Sequence, residues 1–223
     1  SVYEKLTGRI LLDGLTPGWL ISASGFCQSR FLLFAKRLSD IVFSLLGLLV
    51  SLPLMAGIAV LIWLETGTPL LFRQQRVGMN GRAFSILKFR TMHAQATECK
   101  QWAKDVDHQI TRVGRWLRQC RFDELPQFFN VLRGNMSLIG PRPEQPHFCR
   151  MLEEEVPFFG LRHSIRPGIT GWAQVKYQYG ASVEESKIKL EYDLFYIKNL
   201  SLLLDLLILV ETIKVVLRGK GAH

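Results

Sequence analysis

Residues 41–64 read IVFSLLGLLVSLPLMAGIAVLIWL, without a charged side chain, directly after Lys36-Arg37-Leu38-Ser39-Asp40. A helix of about 24 residues rising 1.5 Å per residue outreaches the roughly 30 Å hydrocarbon core of a bilayer. A helix that is apolar on every side has no natural place inside a domain this small, so the segment is expected in a membrane. Two topologies are open. Pro53 sits mid-segment, with Ser51 beside it and Gly47 and Gly57 on either side. Proline removes one backbone donor and crowds the preceding turn, so it kinks or breaks a helix. Basic residues flank both ends: Arg30, Lys36 and Arg37 before, Arg73, Arg76, Arg82, Lys88 and Arg90 after. A spanning helix concentrates such charge on one side. The pattern therefore favours a helix that enters, breaks and returns to the same face, with a kinked spanning helix as the alternative.

The rest of the composition agrees with a chain divided between lipid and an anionic partner. Over 223 residues, 28 basic and 19 acidic side chains give a net charge of +9. The mean hydropathy is nonetheless slightly positive, because the apolar residues are segregated. This length suits one domain with appendages. Such a charge suggests nucleic acid, a nucleotide or an acidic membrane surface as partner. Cys27, Cys99, Cys120 and Cys149 form no C-x-x-C pair, and the five histidines show no ligand spacing. Four reduced thiols are expected and no transition-metal site; a hard cation on oxygen ligands stays open.

Along the chain, residues 1–30 read as a glycine-interrupted linker, with no signal-peptide pattern. Residues 31–72 form the membrane region and 73–200 the catalytic domain. Leu70–Arg73 and Ala83–Arg90 are expected strands around a turn at Gly78–Gly81. Ala94–Gln119 reads as a polar helix, Phe122–Leu132 as a helix closed by Gly134, and Glu144–Glu155 as another. Gly140–Pro143 is a rigid loop, Trp172–Tyr177 a short strand, and Val183–Asn199 an amphipathic helix. Residues 201–223 hold a very apolar helix, Leu202–Leu217, carrying Asp205, Glu211 and Lys214. It is expected either to lie at the bilayer surface or to pack on the domain. The fold class is thus α+β and mostly helical.

The chemistry points to Asp123-Glu124. Arg112, Arg115, Arg118 and Arg121 precede this pair, and Arg133 and Arg142 follow. Acids are common at helix N-termini, which is the plain reading. The alternative is phosphate chemistry, in which cations hold an anionic substrate and carboxylates hold Mg²⁺ or attack phosphorus. Lys88, Arg90, Arg118, Arg121 and Arg142 are the available cations, and arginine's fork grips two phosphate oxygens at once. Pro141 and Pro143 restrict the backbone around Arg142. On a helix, Asp123 and Glu124 point about 100° apart, so separate roles are expected rather than a shared proton.

Six motifs in order carry a resemblance. They are Lys36-Arg37 with Asp40, Lys88-Phe89-Arg90-Thr91-Met92, Asp123-Glu124-Leu125-Pro126-Gln127, residues 130–137 (NVLRGNMS), Gly140-Pro141-Arg142-Pro143, and residues 166–175 (RPGITGWAQV). From about Lys36 to Gly219 the chain resembles the bacterial sugar transferases, monotopic polyprenol-phosphate phosphoglycosyl transferases. The resemblance implies transfer of a sugar-1-phosphate from a UDP-sugar to undecaprenyl phosphate, with Mg²⁺, at the cytoplasmic face of the bacterial inner membrane, in exopolysaccharide or other glycoconjugate assembly. It implies Asp123 as nucleophile and metal contact, with UMP released, and Glu124 as the residue that assists the lipid phosphate. A phosphate monoester is largely ionised at neutral pH, so Glu124 has little work as a base. Lys88, Arg118 and Arg142 match the family's phosphate-holding cations. The family's re-entrant helix breaks at a Ser-Pro pair; here Leu52 precedes Pro53 and the serine stands at Ser51. Tyr3–Arg9 looks like the linker of larger members, which implies a catalytic module from a longer protein.

Two other functions were weighed. A membrane-anchored nucleotide-dependent phosphotransferase of another type would need a phosphate loop such as G-x-x-x-x-G-K-[ST], which the sequence lacks. A tethered nucleic-acid binder lacks an aromatic recognition motif, so no nucleic-acid partner is expected. The sugar and the oligomeric state, homo-oligomer included, are not legible.

Overall fold

A computed structural model describes residues 2–12, 29–93, 109–177 and 182–217. Its dominant element is the apolar segment itself. After the short helix α1 (Val2–Thr7), α2 runs unbroken from Arg30 to Thr66, 37 residues. Ser29 starts it by accepting the Leu32 N–H, and Gly67, in a left-handed conformation, ends it by donating to the Trp63 carbonyl. Pro53 lies inside α2, and helix continues on both sides. The expected break is therefore corrected to a continuous helix in which Pro53 removes one N–H. The Ser51 hydroxyl sits 3.5 Å from the Leu48 carbonyl.

Both ends of α2 are fastened to the same domain. At its start, Lys36 pairs with Asp205 at 2.7 Å, and Arg37 donates to the Val131 and Leu132 carbonyls. Asp40 accepts from the Ser137 hydroxyl and the Leu138 N–H. At its end, Ile58 and Ile62 pack with Phe89 and Leu117. Glu65 accepts the Arg112 and Val113 N–H groups, and Arg90 donates to the Thr66 and Gly67 carbonyls and the Thr66 hydroxyl. Between them the outer side stays bare, with Leu49, Val50 and Leu52 exposed.

The domain is assembled from small pieces. Strands β1 (Leu71–Val77) and β2 (Ala83–Phe89) form an antiparallel hairpin around the expected turn, where Asn80 and Gly81 are left-handed, and β1 runs on to Val77 instead of ending at the expected Arg73. Helix α3 (Arg112–Cys120) follows; the expected helical residues 94–108 lie outside the described residues, as do Cys27, Cys99 and most of the expected linker. The single helix expected over 122–132 is instead a 3-10 turn, Phe122–Glu124, then α4 (Gln127–Leu132), with Pro126 at the junction. β3 (Ser137–Ile139) pairs in parallel with β4 (Gly168–Thr170). Between these strands lie α5 (Pro146–Glu155) and a second 3-10 turn, Phe159–Ser164. Residues expected as a strand form α6 (Trp172–Lys176), while the strand itself falls just before them. α7 (Val183–Lys198) is enclosed rather than two-faced, burying Glu191, Asp193 and Tyr196 along with Leu190, Leu194 and Ile197. α8 (Leu202–Leu217) packs on the domain by one side and leaves an apolar side bare. Ile208 and Asp205 face the domain, while Leu203, Leu206, Leu207, Val210 and Ile213 are exposed.

The expected linker is also corrected for residues 2–12. Ile10 is buried in the main core, and its N–H donates to the Glu191 carbonyl. The Trp172 indole donates to the Gly8 carbonyl at 2.7 Å, and Lys198 pairs with Glu4. Glycine abundance suggested a tether, but the few apolar residues between the glycines have a core to fill.

At the end of the β3–β4 pair, the backbones of Gly140 and Gly168 touch. A Cβ on Gly168 would lie 2.1 Å from the Gly140 nitrogen, and the Gly168 N–H donates to the Pro141 carbonyl. Backbone cannot yield as a side chain can, so Gly168→Ala is expected to cost about 2–3 kcal/mol. In thermal unfolding of the protein in nanodiscs this reads as a fall of several degrees in Tm, and an unchanged Tm would contradict the close contact.

Candidate active site

The acidic pair stands on a corner. Arg121 adopts a left-handed conformation (φ 56°), which ends α3 and turns the chain into Phe122–Glu124. Successive residues of a 3-10 turn point about 120° apart, so the two carboxylates diverge. Both are buried, at 8% exposure each. Glu124 Oε1 accepts from Lys88 Nζ and from Arg142, each at 2.8 Å. Asp123 lies 3.7 Å from Lys88 and makes no hydrogen bond through its carboxylate among the described residues.

The surroundings treat the two acids differently. Burial pushes Glu124 up, but Arg142 and Lys88 outweigh it and hold the carboxyl well below the usual range. Glu124 in turn raises the pKa of Arg142, against the effect of burial. For Asp123 burial wins over the pull of Lys88, Glu124 adds to it, and the pKa is raised. One carboxylate is thus a fixed counter-ion for two cations. The other is a buried acid with its oxygens uncommitted.

Lys88 is held in place through β2. Asn130 accepts the Leu87 N–H and donates to the Ser85 carbonyl, fixing the strand on either side against α4. Arg142 is held by its backbone: Arg162 donates to the Arg142 carbonyl and Arg76 to that of Pro143. Arg162 is itself buried against Asp193 at 2.8 Å. Arg118 donates to the Thr91 hydroxyl at 3.0 Å and contributes to the field at Asp123. The close approach of α3 to Thr91 depends on Gly114, where a Cβ would meet the Thr91 oxygen at 2.2 Å.

The structure therefore gathers Asp123, Glu124, Lys88 and Arg142 at one point, with Arg118 within electrostatic reach. Ser51 and Pro53, assigned to the membrane helix, lie in α2, and the Ser51 hydroxyl is engaged within that helix with the Leu48 carbonyl and Met55 sulfur. Arg90, counted among the available cations, is spent on the end of α2 instead. Sequence reasoning missed Arg76, Asn130, Arg162 and Asp193. Asn130 lay inside a quoted motif, but nothing in the spacing of the other three singles them out.

For a divalent cation, no group of three or more His, Cys, Asp or Glu side chains converges among the described residues. Mg²⁺, however, commonly binds through one or two carboxylates and completes its shell with water and substrate phosphates. Asp123 fits that use, since Glu124 is taken by Lys88 and Arg142.

Comparison with known proteins follows the same residues. Residues 31–219 match the family described as Bacterial sugar transferase. The chain is 47% identical over 224 residues to the UDP-N-acetylgalactosamine-undecaprenyl-phosphate N-acetylgalactosaminephosphotransferase of Aeromonas hydrophila, covering 100% of this chain and 52% of that protein. It is 39% identical over 215 residues to the UDP-glucose:undecaprenyl-phosphate glucose-1-phosphate transferase of Xanthomonas campestris pv. campestris, covering 94% of this chain and 44% of that protein. It is also 40% identical over 197 residues to the Exopolysaccharide production protein PSS of Rhizobium leguminosarum bv. phaseoli, covering 85% of this chain and 98% of that protein. The chain thus spans about half the length, or less, of the first two.

Proposed function

This chain belongs to the bacterial sugar transferase family, and from that premise we propose that it transfers a sugar-1-phosphate from a UDP-sugar to undecaprenyl phosphate. The observation that carries the reading is the unequal pair: a buried, uncommitted Asp123 beside a Glu124 that fixes Lys88 and Arg142. Such a site can receive a diphosphate on its cations and present one carboxylate to phosphorus.

In this reading an Asp123 oxygen attacks the phosphorus that bears the sugar. The phosphoanhydride bond breaks, its electron pair leaves with UMP, and an aspartyl phosphosugar remains. An oxygen of undecaprenyl phosphate then attacks the same phosphorus and releases Asp123. Lys88 and Arg142 hold the phosphate oxygens, with Glu124 fixing the spacing between them rather than moving a proton. Arg118 adds positive potential on the α3 side. Mg²⁺, held by Asp123, would supply charge neutralisation between carboxylate and phosphate. The two relatives whose names state a donor differ in the sugar, so the proposal stops at the UDP-sugar class. The test is incubation with UDP-sugar labelled in the sugar, without lipid acceptor. Label is expected on the protein in stoichiometric amount, with one UMP released per label. Label found only in free sugar phosphate would sink the covalent step.

We further propose that α2, although unbroken, bends at Pro53 so that it dips into the membrane and returns to the same face, and that the domain lies at the cytoplasmic face of the inner membrane. The helix is long and apolar enough to cross a bilayer. Yet the residues fastening its two ends, Asp205, Val131 and Ser137 at one and Arg112 and Arg90 at the other, belong to one folded body. A helix spanning the bilayer would place those ends on opposite sides. Cysteines replacing the exposed Arg30 and Arg82 should therefore label equally, over the wild-type background, with a membrane-impermeant maleimide applied from the cytoplasmic side. Reaction of the Arg30→Cys variant from the outside alone would mean a spanning helix.

A further inference from the structure

We propose that Lys189 of α7 is a phosphate-binding residue that, with Arg142, holds an oxyanion of the donor's diphosphate. The inference deepens the transferase reading and rests on it.

It starts from the charges around the Pro141-Arg142-Pro143 loop. Arg162 is neutralised by Asp193 at 2.8 Å, and Arg76 has Glu144 at 3.8 Å. Lys88 and Arg142 share Glu124, and Lys88 also lies 3.7 Å from Asp123. Lys189 is half-buried and has no hydrogen bond or ion pair among the described residues. Its charged neighbours are Glu144, Arg162, Arg142 and Asp193, so it belongs to this cluster and not to open solvent. Burial lowers its pKa, Glu144 opposes that, and Arg162 and Arg142 add to the lowering.

Its position is fixed by geometry. Lys189 and Asp193 are one helical turn apart on α7 and so share a face. Asp193 is locked to Arg162, and Arg162 donates to the Arg142 carbonyl at 3.0 Å. The path from Lys189 to the Arg142 backbone thus runs through one buried ion pair and one hydrogen bond. An ammonium kept partly out of water, with Arg162 and Arg142 as well as Glu144 and Asp193 around it but no carboxylate in ion-pair contact, is incompletely compensated in the empty protein. An anion with several acceptor oxygens reverses that balance, and a phosphate is such an anion. By contrast Lys187, two residues earlier, has an ordinary surface partner in Glu184 at 3.1 Å.

The experiment is isothermal titration of the full chain in nanodiscs with UDP, and with uridine as the uncharged probe. Loss of a hydrogen bond to a charged phosphate weakens binding roughly ten- to a hundredfold. Lys189→Gln is expected to weaken UDP by that factor and to leave uridine unchanged. Lys189→Arg should stay within about threefold of wild type, and Lys187→Gln, which removes an equal charge from the same helix, within about twofold. The proposal is overturned if Lys189→Gln binds UDP as wild type does, or if UDP and uridine weaken together. Failure of the transferase reading looks different: UDP would bind and respond to Lys189→Gln, but no label would pass from UDP-sugar to protein. Should wild type not bind UDP, both ideas fall.

Discussion

Asp123→Asn is expected to abolish attachment of sugar phosphate to the protein and to cut turnover roughly 10⁴-fold or more. The amide keeps the shape of the side chain and removes the nucleophilic oxygen, while Lys88, Glu124 and Arg142 remain assembled. UDP should therefore still bind. Stability should not fall, and the sign follows from the raised pKa. A carboxyl whose pKa is higher in the folded state stabilises the fold only while protonated and costs stability once ionised at neutral pH. Asp123, raised by burial, is such a group. Its neutral replacement is expected to match or exceed wild type in Tm at pH 7, which separates a lost nucleophile from a damaged fold. In single-turnover labelling, the wild-type rate should decline on acidification as the Asp123 carboxylate is protonated. Glu124, held low by Arg142 and Lys88, does not titrate there. An Asp123→Asn variant that still takes up label would transfer the nucleophile's role to another residue.

The unequal pair also shows how much the sequence could and could not reveal. The long apolar helix was legible because 24 uncharged residues leave few alternatives, and the β1–β2 hairpin because the turn residues Gly78–Gly81 separate two strand-like runs. Asp123, Glu124, Lys88 and Arg142 were legible as residues and not as an arrangement. Neighbours on a helix were expected to diverge by about 100°, and they do diverge, but on a 3-10 turn created by a left-handed arginine. No propensity marks Arg121 for that conformation; the packing of α3 on Thr91 and of α4 on β2 imposes it. Arg162 and Asp193 lie 31 positions apart in the sequence, and Arg76 and Pro143 67 apart, so only the closed chain brings them together. The N-terminal residues were misread for a different reason. Glycine content suggests a linker, whereas Ile10 and the Gly8 carbonyl have partners 181 and 164 residues away in sequence, on α7 and α6.

The largest effect on stability is expected at the bolt between α2 and α8. Lys36 and Asp205 are 2.7 Å apart with side chains 9% and 10% exposed, and Tyr196 donates to the other Asp205 oxygen at 2.6 Å. Removing one partner of a buried pair strands the other charge and costs about 3–5 kcal/mol. At about 2–4 °C per kcal/mol for a chain of this size, that lowers Tm by roughly 10 °C. The two single variants should not be equal. Lys36 also stabilises Asp40, so Lys36→Met leaves two buried carboxylates without their cation, whereas Asp205→Asn leaves one ammonium that still has Asp40 near it. Asn at 205 also keeps an acceptor for Tyr196. Lys36→Met is therefore expected to be the worse, and Lys36→Met with Asp205→Asn together to recover part of the loss. Thermal unfolding of the four proteins in nanodiscs gives the coupling directly. Two single variants within about 0.5 kcal/mol of wild type would show the pair to be incidental. The consequence reaches the active site through Arg37, one residue on, whose guanidinium holds the Val131 and Leu132 carbonyls at the end of α4. α4 carries Asn130, which fixes β2 and hence Lys88. Loosening α2 at Lys36 should accordingly slow aspartyl labelling at temperatures well below Tm, because this apolar helix and the cation facing Glu124 are parts of one connected frame.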